Sequence, residues 1–96
     1  MNVRFTSAAE RELRQAIDFY EAAENGLGSR LLDEVEAAVA RILAHPLAWT
    51  PLSHRTRRCR THRFQYGLFY QIRTDEILVL SVMDLRRDPK RWDDYL

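Results

Sequence analysis

The chain has 96 residues, 46% of them hydrophobic and 30% charged, with a formal charge of +1 at pH 7. That length accommodates one domain, residues 1–96, and that balance belongs to a soluble globule rather than a disordered segment. It excludes a membrane span, since no apolar run approaches ~20 residues, and a zinc site or phosphate loop, since one cysteine, three scattered histidines and three glycines have neither spacing.

Along the chain, Val3-Arg4-Phe5 alternates like a short edge strand. Ser7 and Glu10 make a capping-box pattern, and Leu13, Ala16, Ile17 and Tyr20 follow at helical spacing up to a stop at Asn25-Gly26. Ser29 is placed to cap a second helix whose stripe is Leu32, Val35, Val39, Ile42 and Leu43, and His45-Pro46 ends it. So short a link makes the two an antiparallel hairpin.

Residues 46–56, with two of the three prolines, read as a loop pinned to the core by Trp49. From Arg57 the period becomes two, with Arg58, Arg60, His62 and Phe64 on one side and Cys59, Thr61 and Arg63 on the other. A strand over Leu68–Arg73, a turn at Thr74-Asp75 and an interior strand over Ile77–Met83 complete a meander. Asp88 then caps a short helix with Pro89 at its first position, carrying Trp92 and Tyr95. The pattern is an α+β fold: an N-terminal strand, an antiparallel helical hairpin packed on a small, mainly antiparallel sheet (β-α-α-β-β-β), and a short C-terminal helix.

The small net charge conceals an uneven distribution. Residues 1–44 hold five arginines against eight acids, whereas residues 54–63 hold Arg55, Arg57, Arg58, Arg60 and Arg63 and no acid. Lys90 is the only lysine. Arginine's planar fork matches phosphates and carboxylates, so the strip is either a solvated strand face or the contact for an anionic partner. Arg86 and Arg87 follow the interior strand, where they either meet a partner or pair with Asp84, Asp88, Asp93 or Asp94. Cys59 lies among arginines that can lower a thiol pKa, but no His/Asp arrangement accompanies it, and it reads as structural. The lone cysteine and the absence of an apolar signal region at the N-terminus both suit the cytoplasm.

The order of these elements resembles the RelE/ParE superfamily of type II toxin–antitoxin (plasmid stabilisation) toxins. The resemblance runs through Ala16-Ile17-Asp18-Phe19-Tyr20-Glu21, Gly26-Leu27-Gly28, Ile42-Leu43-Ala44-His45-Pro46, Arg57-Arg58, Arg63 to Ile72 and Val82 to Trp92. It implies an antitoxin partner in a hetero-oligomer and one of two targets. ParE-like members act on DNA gyrase, and RelE-like members cleave messenger RNA on the ribosome. The Arg86-Arg87-Asp88-Pro89 segment and Trp92 look more like the ParE side. Asp84 stands where many relatives have His, and a carboxylate there cannot donate a proton as an imidazolium does.

A ribonuclease needs a base, an acid and cations at the phosphate. Arg58, Arg60, Arg63, Arg86 and Arg87 would clamp the phosphate in that reading, Tyr66 or Tyr95 would stack on a base or donate a proton, and His62 could serve as the base, though its strand position is equally that of a surface residue. With arginine always protonated, a good base is missing. The favoured expectation is therefore a ParE-like gyrase inhibitor that contacts target or antitoxin through Arg57, Arg58, Arg60, Arg63, Arg86, Arg87 and Trp92. The alternatives are a RelE-like endoribonuclease and a non-toxic, antitoxin-binding relative. No metal or organic cofactor is expected in any of them.

Overall fold

A computed structural model describes residues 1–87. The elements are β1 (Asn2–Phe5), α1 (Ser7–Ala23), α2 (Leu27–Ala44), β2 (Thr50–Pro51), β3 (Thr56–Arg60), β4 (Tyr66–Ile72) and β5 (Glu76–Asp84). They form a five-stranded sheet in the order β1-β5-β4-β3-β2. β1 runs parallel to β5 and the remaining pairs are antiparallel. The α+β architecture is thus as the sequence predicts. The helix expected from Asp88 onward, with Trp92 and Tyr95, lies outside the described residues.

Both helix starts differ from the sequence expectation. Thr6, not Ser7, is the N-cap of α1, because its extended backbone (φ −66°, ψ 161°) lets its side chain accept the Ala9 N–H. α2 begins at Leu27, and its N-cap Gly26 sits in the left-handed region at φ +86°, where glycine carries no steric penalty. Ser29 is already inside that helix. The first amide donors are instead taken by the Glu21 carboxylate, which accepts from Gly26 N (2.9 Å) and Gly28 N (3.0 Å). An acidic group from the end of one helix therefore serves the positive N-terminus of the next. α2 does end at the expected His45-Pro46.

The hairpin packs on one face of the sheet. Ala9 and Ala16 of α1 and Leu31, Val35, Ala38 and Ile42 of α2 are buried against Cys59, Leu68, Tyr70, Ile77, Val79 and Val82. Each fully buried Leu, Ile or Val is worth about 1.5–3 kcal/mol, so this layer is the main source of stability. Phe69, Leu78 and Met83, alternate residues of β4 and β5, are buried as well. These two strands are apolar on both sides, as suits the interior of a sheet. A register shift after Phe69 leaves Leu80 as an extra residue between Val79 and Ser81.

Two further differences concern the sheet edge. β2 forms inside the predicted loop, pairing Thr50 and Pro51 with Arg58 and Arg57. β3 stops at Arg60, so His62 and Phe64 do not continue its alternation. The chain turns there through Phe64 and Gln65, both at positive φ (70° and 51°), and Thr61 closes the turn by donating its N–H to Tyr66 O at 2.9 Å. Trp49 packs against the core as expected.

The tightest approach is between the helices. A Cβ added at Gly28 would lie 2.6 Å from the backbone oxygen of Ile17, which cannot yield without moving α1. Gly28→Ala should lower stability by about 1–3 kcal/mol, as overpacking does. Chemical denaturation with an unchanged m-value checks this.

Candidate functional site

β3 ends, β4 begins and β5 ends at the same end of the sheet, since Arg60 pairs with Gly67 and Tyr66 with Asp84. The sequence-separated arginines meet here. Arg58 and Arg60 alternate with buried Cys59, so they lie on the sheet face turned away from the helices. Beside them, Gly67 is covered by Arg58 and Leu85: a Cβ there would lie 3.2 Å from Arg58 Cγ and 2.9 Å from Leu85 Cδ2. The arginine strip and the Asp84–Arg87 segment thus adjoin through one glycine.

The structure divides the predicted strip. Arg57 points to the helix side and spends its Nη1 on the carbonyls of Leu47 (3.1 Å) and Trp49 (2.7 Å), holding the loop before β2. Arg55 lies at the opposite end of the sheet, in a groove with Arg73 and Glu76. Arg63 belongs to the turn after β3, where its N–H donates to Glu34 (2.8 Å) and its side chain lines a groove against α2 with His62 and Phe64. Arg58 and Arg60 stay together, and burial followed by the neighbouring Arg60 charge lowers the Arg58 pKa. Trp92 and Tyr95 lie outside the described residues.

Arg86 is held by a set of contacts. Its Nε and Nη2 donate to the two oxygens of Asp84 at 3.0 and 2.9 Å, its own backbone N–H donates to Asp84 Oδ1 at 2.9 Å, and Nη2 also donates to Tyr20 Oη at 2.9 Å. Arg87 Nε is 4.0 Å from the same carboxylate. The hydrogen bond from Arg86 holds the Asp84 carboxyl below the usual carboxylate range, and the Arg86 pKa is raised in turn. Tyr20 also sets its ring edge-on to Phe64 and near Tyr66, tying α1 to the turn after β3.

A groove of about 390 Å³ opens beside these groups, between α1 and the end of β5. Its lining includes Glu12, Phe19, Tyr20, Tyr66, Asp84 and Arg86. Glu12 accepts from Ser81 Oγ (2.8 Å) and from Val82 N (3.1 Å), so its carboxylate serves the edge of β5. Nothing local in the sequence marks Glu12 or Tyr20 for these roles. Both lie on α1, and their partners are 70 and 66 residues away.

Among the described residues the proton chemistry of this end is poor. Burial, before the nearby Tyr20 and Asp84, pushes the Tyr66 hydroxyl up to about 12. The Asp84 carboxylate is a weak base, being held ionised. Cys59 is buried and its pKa is raised by that burial, in agreement with a structural role. Among the described residues no group of three or more His, Cys, Asp or Glu side chains can hold a metal ion, and no helix is long and apolar enough to cross a membrane.

A strand, a helical hairpin and a meander with an arginine-lined end make up a small α+β fold that is shared with a solved toxin–antitoxin structure. A chain of the chromosomal ParDE toxin–antitoxin system from P. aeruginosa superposes with a TM-score of 0.65, covering 88% of this chain and 95% of that one. At 18% identity this likeness speaks for the fold. No curated protein matches the sequence significantly. The model of the family described as ParE toxin of the type II toxin–antitoxin system, parDE, matches residues 3–89, and the chain belongs to that family.

Two predictions follow from the geometry. Arg57→Ala should cost about 1–2 kcal/mol through the two abandoned loop carbonyls, whereas Arg60→Ala should change stability by less than about 0.5 kcal/mol, measured by urea denaturation. The second concerns alkaline pH. Tyr66 and Tyr70 are both pushed up to about 12, Tyr70 chiefly by burial. Raised folded-state values favour the neutral form, so their contribution is complete below the unfolded value near 10 and fades between pH 10 and 12. Stability measured across that window should fall, and Tyr66→Phe should flatten the fall.

Proposed function

We propose that the chain is a ParE-like toxin that arrests growth in the cytoplasm by binding and inhibiting DNA gyrase, and that a cognate antitoxin neutralises it in a hetero-oligomer. The observation that carries this reading is the state of Asp84. Its carboxylate is committed to Arg86, so among the described residues the arginine-lined end presents fixed cations, and the Asp84 carboxylate beside them is held ionised rather than free to take up a proton. Such an arrangement binds anionic surfaces and transfers protons badly, which favours target binding over RNA cleavage. Family membership supports the toxin class and the antitoxin partner.

Arg58, Arg60, Arg86 and Arg87 are the target and antitoxin contacts in this reading, with Trp92 as an additional one. Arg57 acts mainly by holding the loop before β2, and Arg63 is a further contact on the side facing α2. The antitoxin's acidic or amphipathic segment lies over the helical hairpin and the adjoining sheet end, and its grip weakens with salt.

The test is pulse-labelling of DNA and protein synthesis in cells during the first minutes after induction of the chain alone. DNA synthesis should fall first, with translation intact, and Arg86→Ala with Arg87→Ala should abolish the arrest. Early loss of protein synthesis would mean a ribosome-directed nuclease. Loss of neither would mean a non-toxic relative. Persistence of arrest in the double variant would overturn the site assignment.

A further inference from the structure

We propose that Asp84 is a built-in competitor, occupying the Arg86 fork until a carboxylate of an acidic partner segment displaces it. The proposal relies on the reading above only in placing a partner at this end of the sheet. Its first support is geometric. The guanidinium grips Asp84 through two parallel hydrogen bonds, one from Nε and one from Nη2, each to a different oxygen. That is the fork–fork arrangement by which arginine recognises a carboxylate from another chain.

The second support is the contrast in exposure. The Asp84 side chain is 10% exposed, while those of Arg86 and Arg87 are 53% and 65% exposed. The anion is inside and the cations face solvent, so an arriving carboxylate reaches Arg86 from the open side.

The third support is the seat itself. The Tyr20 hydroxyl accepts from Arg86 Nη2 and holds the guanidinium over the groove when Asp84 lets go. Phe19, 64% exposed, lines the same groove and offers an apolar contact beside the charge. An acidic segment carrying apolar side chains fits both, which favours a polypeptide over a nucleic acid backbone.

The consequence is selectivity. A segment offering one carboxylate only replaces a bond the molecule already has. A segment that also covers Phe19 or reaches Arg87 gains more than it displaces.

The experiment measures binding of a fluorescein-labelled glutamate-rich peptide to the full chain by anisotropy. Asp84→Asn should tighten binding about fivefold, the range in which exposed ion pairs act. Asp75→Asn removes the same charge at the far end of the sheet and should change binding less than about twofold. Asp84→Asn combined with Arg86→Ala should lose the gain. Asp84→Ser serves in the same comparison should the Asn variant unfold. Equal effects of the Asp84 and Asp75 variants would overturn the proposal, as would a gain that survives Arg86→Ala. So would a gain seen with a single-stranded oligonucleotide but not with the peptide. None of these readings depends on gyrase, so failure here is distinct from failure of the cellular test.

Discussion

The length mismatch between β1 and β5 is the constraint on which the rest of the structure depends. β1 has four residues and β5 has nine, so the parallel pairing stops at Phe5 and Val79. Beyond that point no strand among the described residues lies beside this edge of β5, and its backbone groups need other partners. Thr6 supplies the first of them, donating its N–H to Val79 O and its hydroxyl to Leu80 O. Glu12 supplies the next at Val82. Because the chain leaves the sheet at Thr6, α1 begins there and runs alongside the uncovered part of β5. Tyr20, near the end of that helix, is thereby brought to Arg86. One short strand thus opens the groove, sets the helix beside it and positions the arginine that lines it.

The arginine-lined end also shows why charge counted along a sequence differs from charge presented to a partner. Five arginines lie within residues 54–63, yet one holds a loop, one sits at the opposite end of the sheet and one faces α2. The remaining pair is completed by residues from a different strand end. Arg86 is offset by its neighbour Asp84, so its local charge is smaller than its exposure suggests. The cationic character of the surface is set by topology as much as by composition.

The sequence carries the strands and helices because their signals are local. Helical spacing marks α1 and α2, branched residues mark β5, and His45-Pro46 marks the helix end. The misplaced caps show where locality fails. Ser7 and Ser29 have cap-like side chains, but the residue actually used at the start of α1 is decided by backbone direction at Thr6, and that at α2 by a carboxylate five residues before Gly26. The continuation of β3 through His62 fails for a similar reason, since the turn is closed by Thr61 pairing with Tyr66. For the site, the type and rough location of the cationic residues are legible. The division of labour between Arg57 and Arg60 is not, because it depends on which carbonyls of residues 47 and 49 the fold brings within reach. The roles of Glu12 and Tyr20 are equally hidden, as each depends on contacts more than sixty residues distant.

The bond between Thr6 and Leu80 joins residues 74 apart in the chain. During synthesis, α1 and α2 are complete long before β5 exists, so the hairpin must wait with its apolar stripe uncovered. Closing so large a loop costs entropy that is recovered only when the whole sheet is assembled, which makes such contacts late events in folding. The first strand made is therefore docked by the last strand described, and Tyr20 reaches Arg86 only once α1 lies against β5. The arginine-lined end comes into being with the finished sheet, and a nascent chain released before β5 would carry the arginines of β3 without the groove that gives them a function.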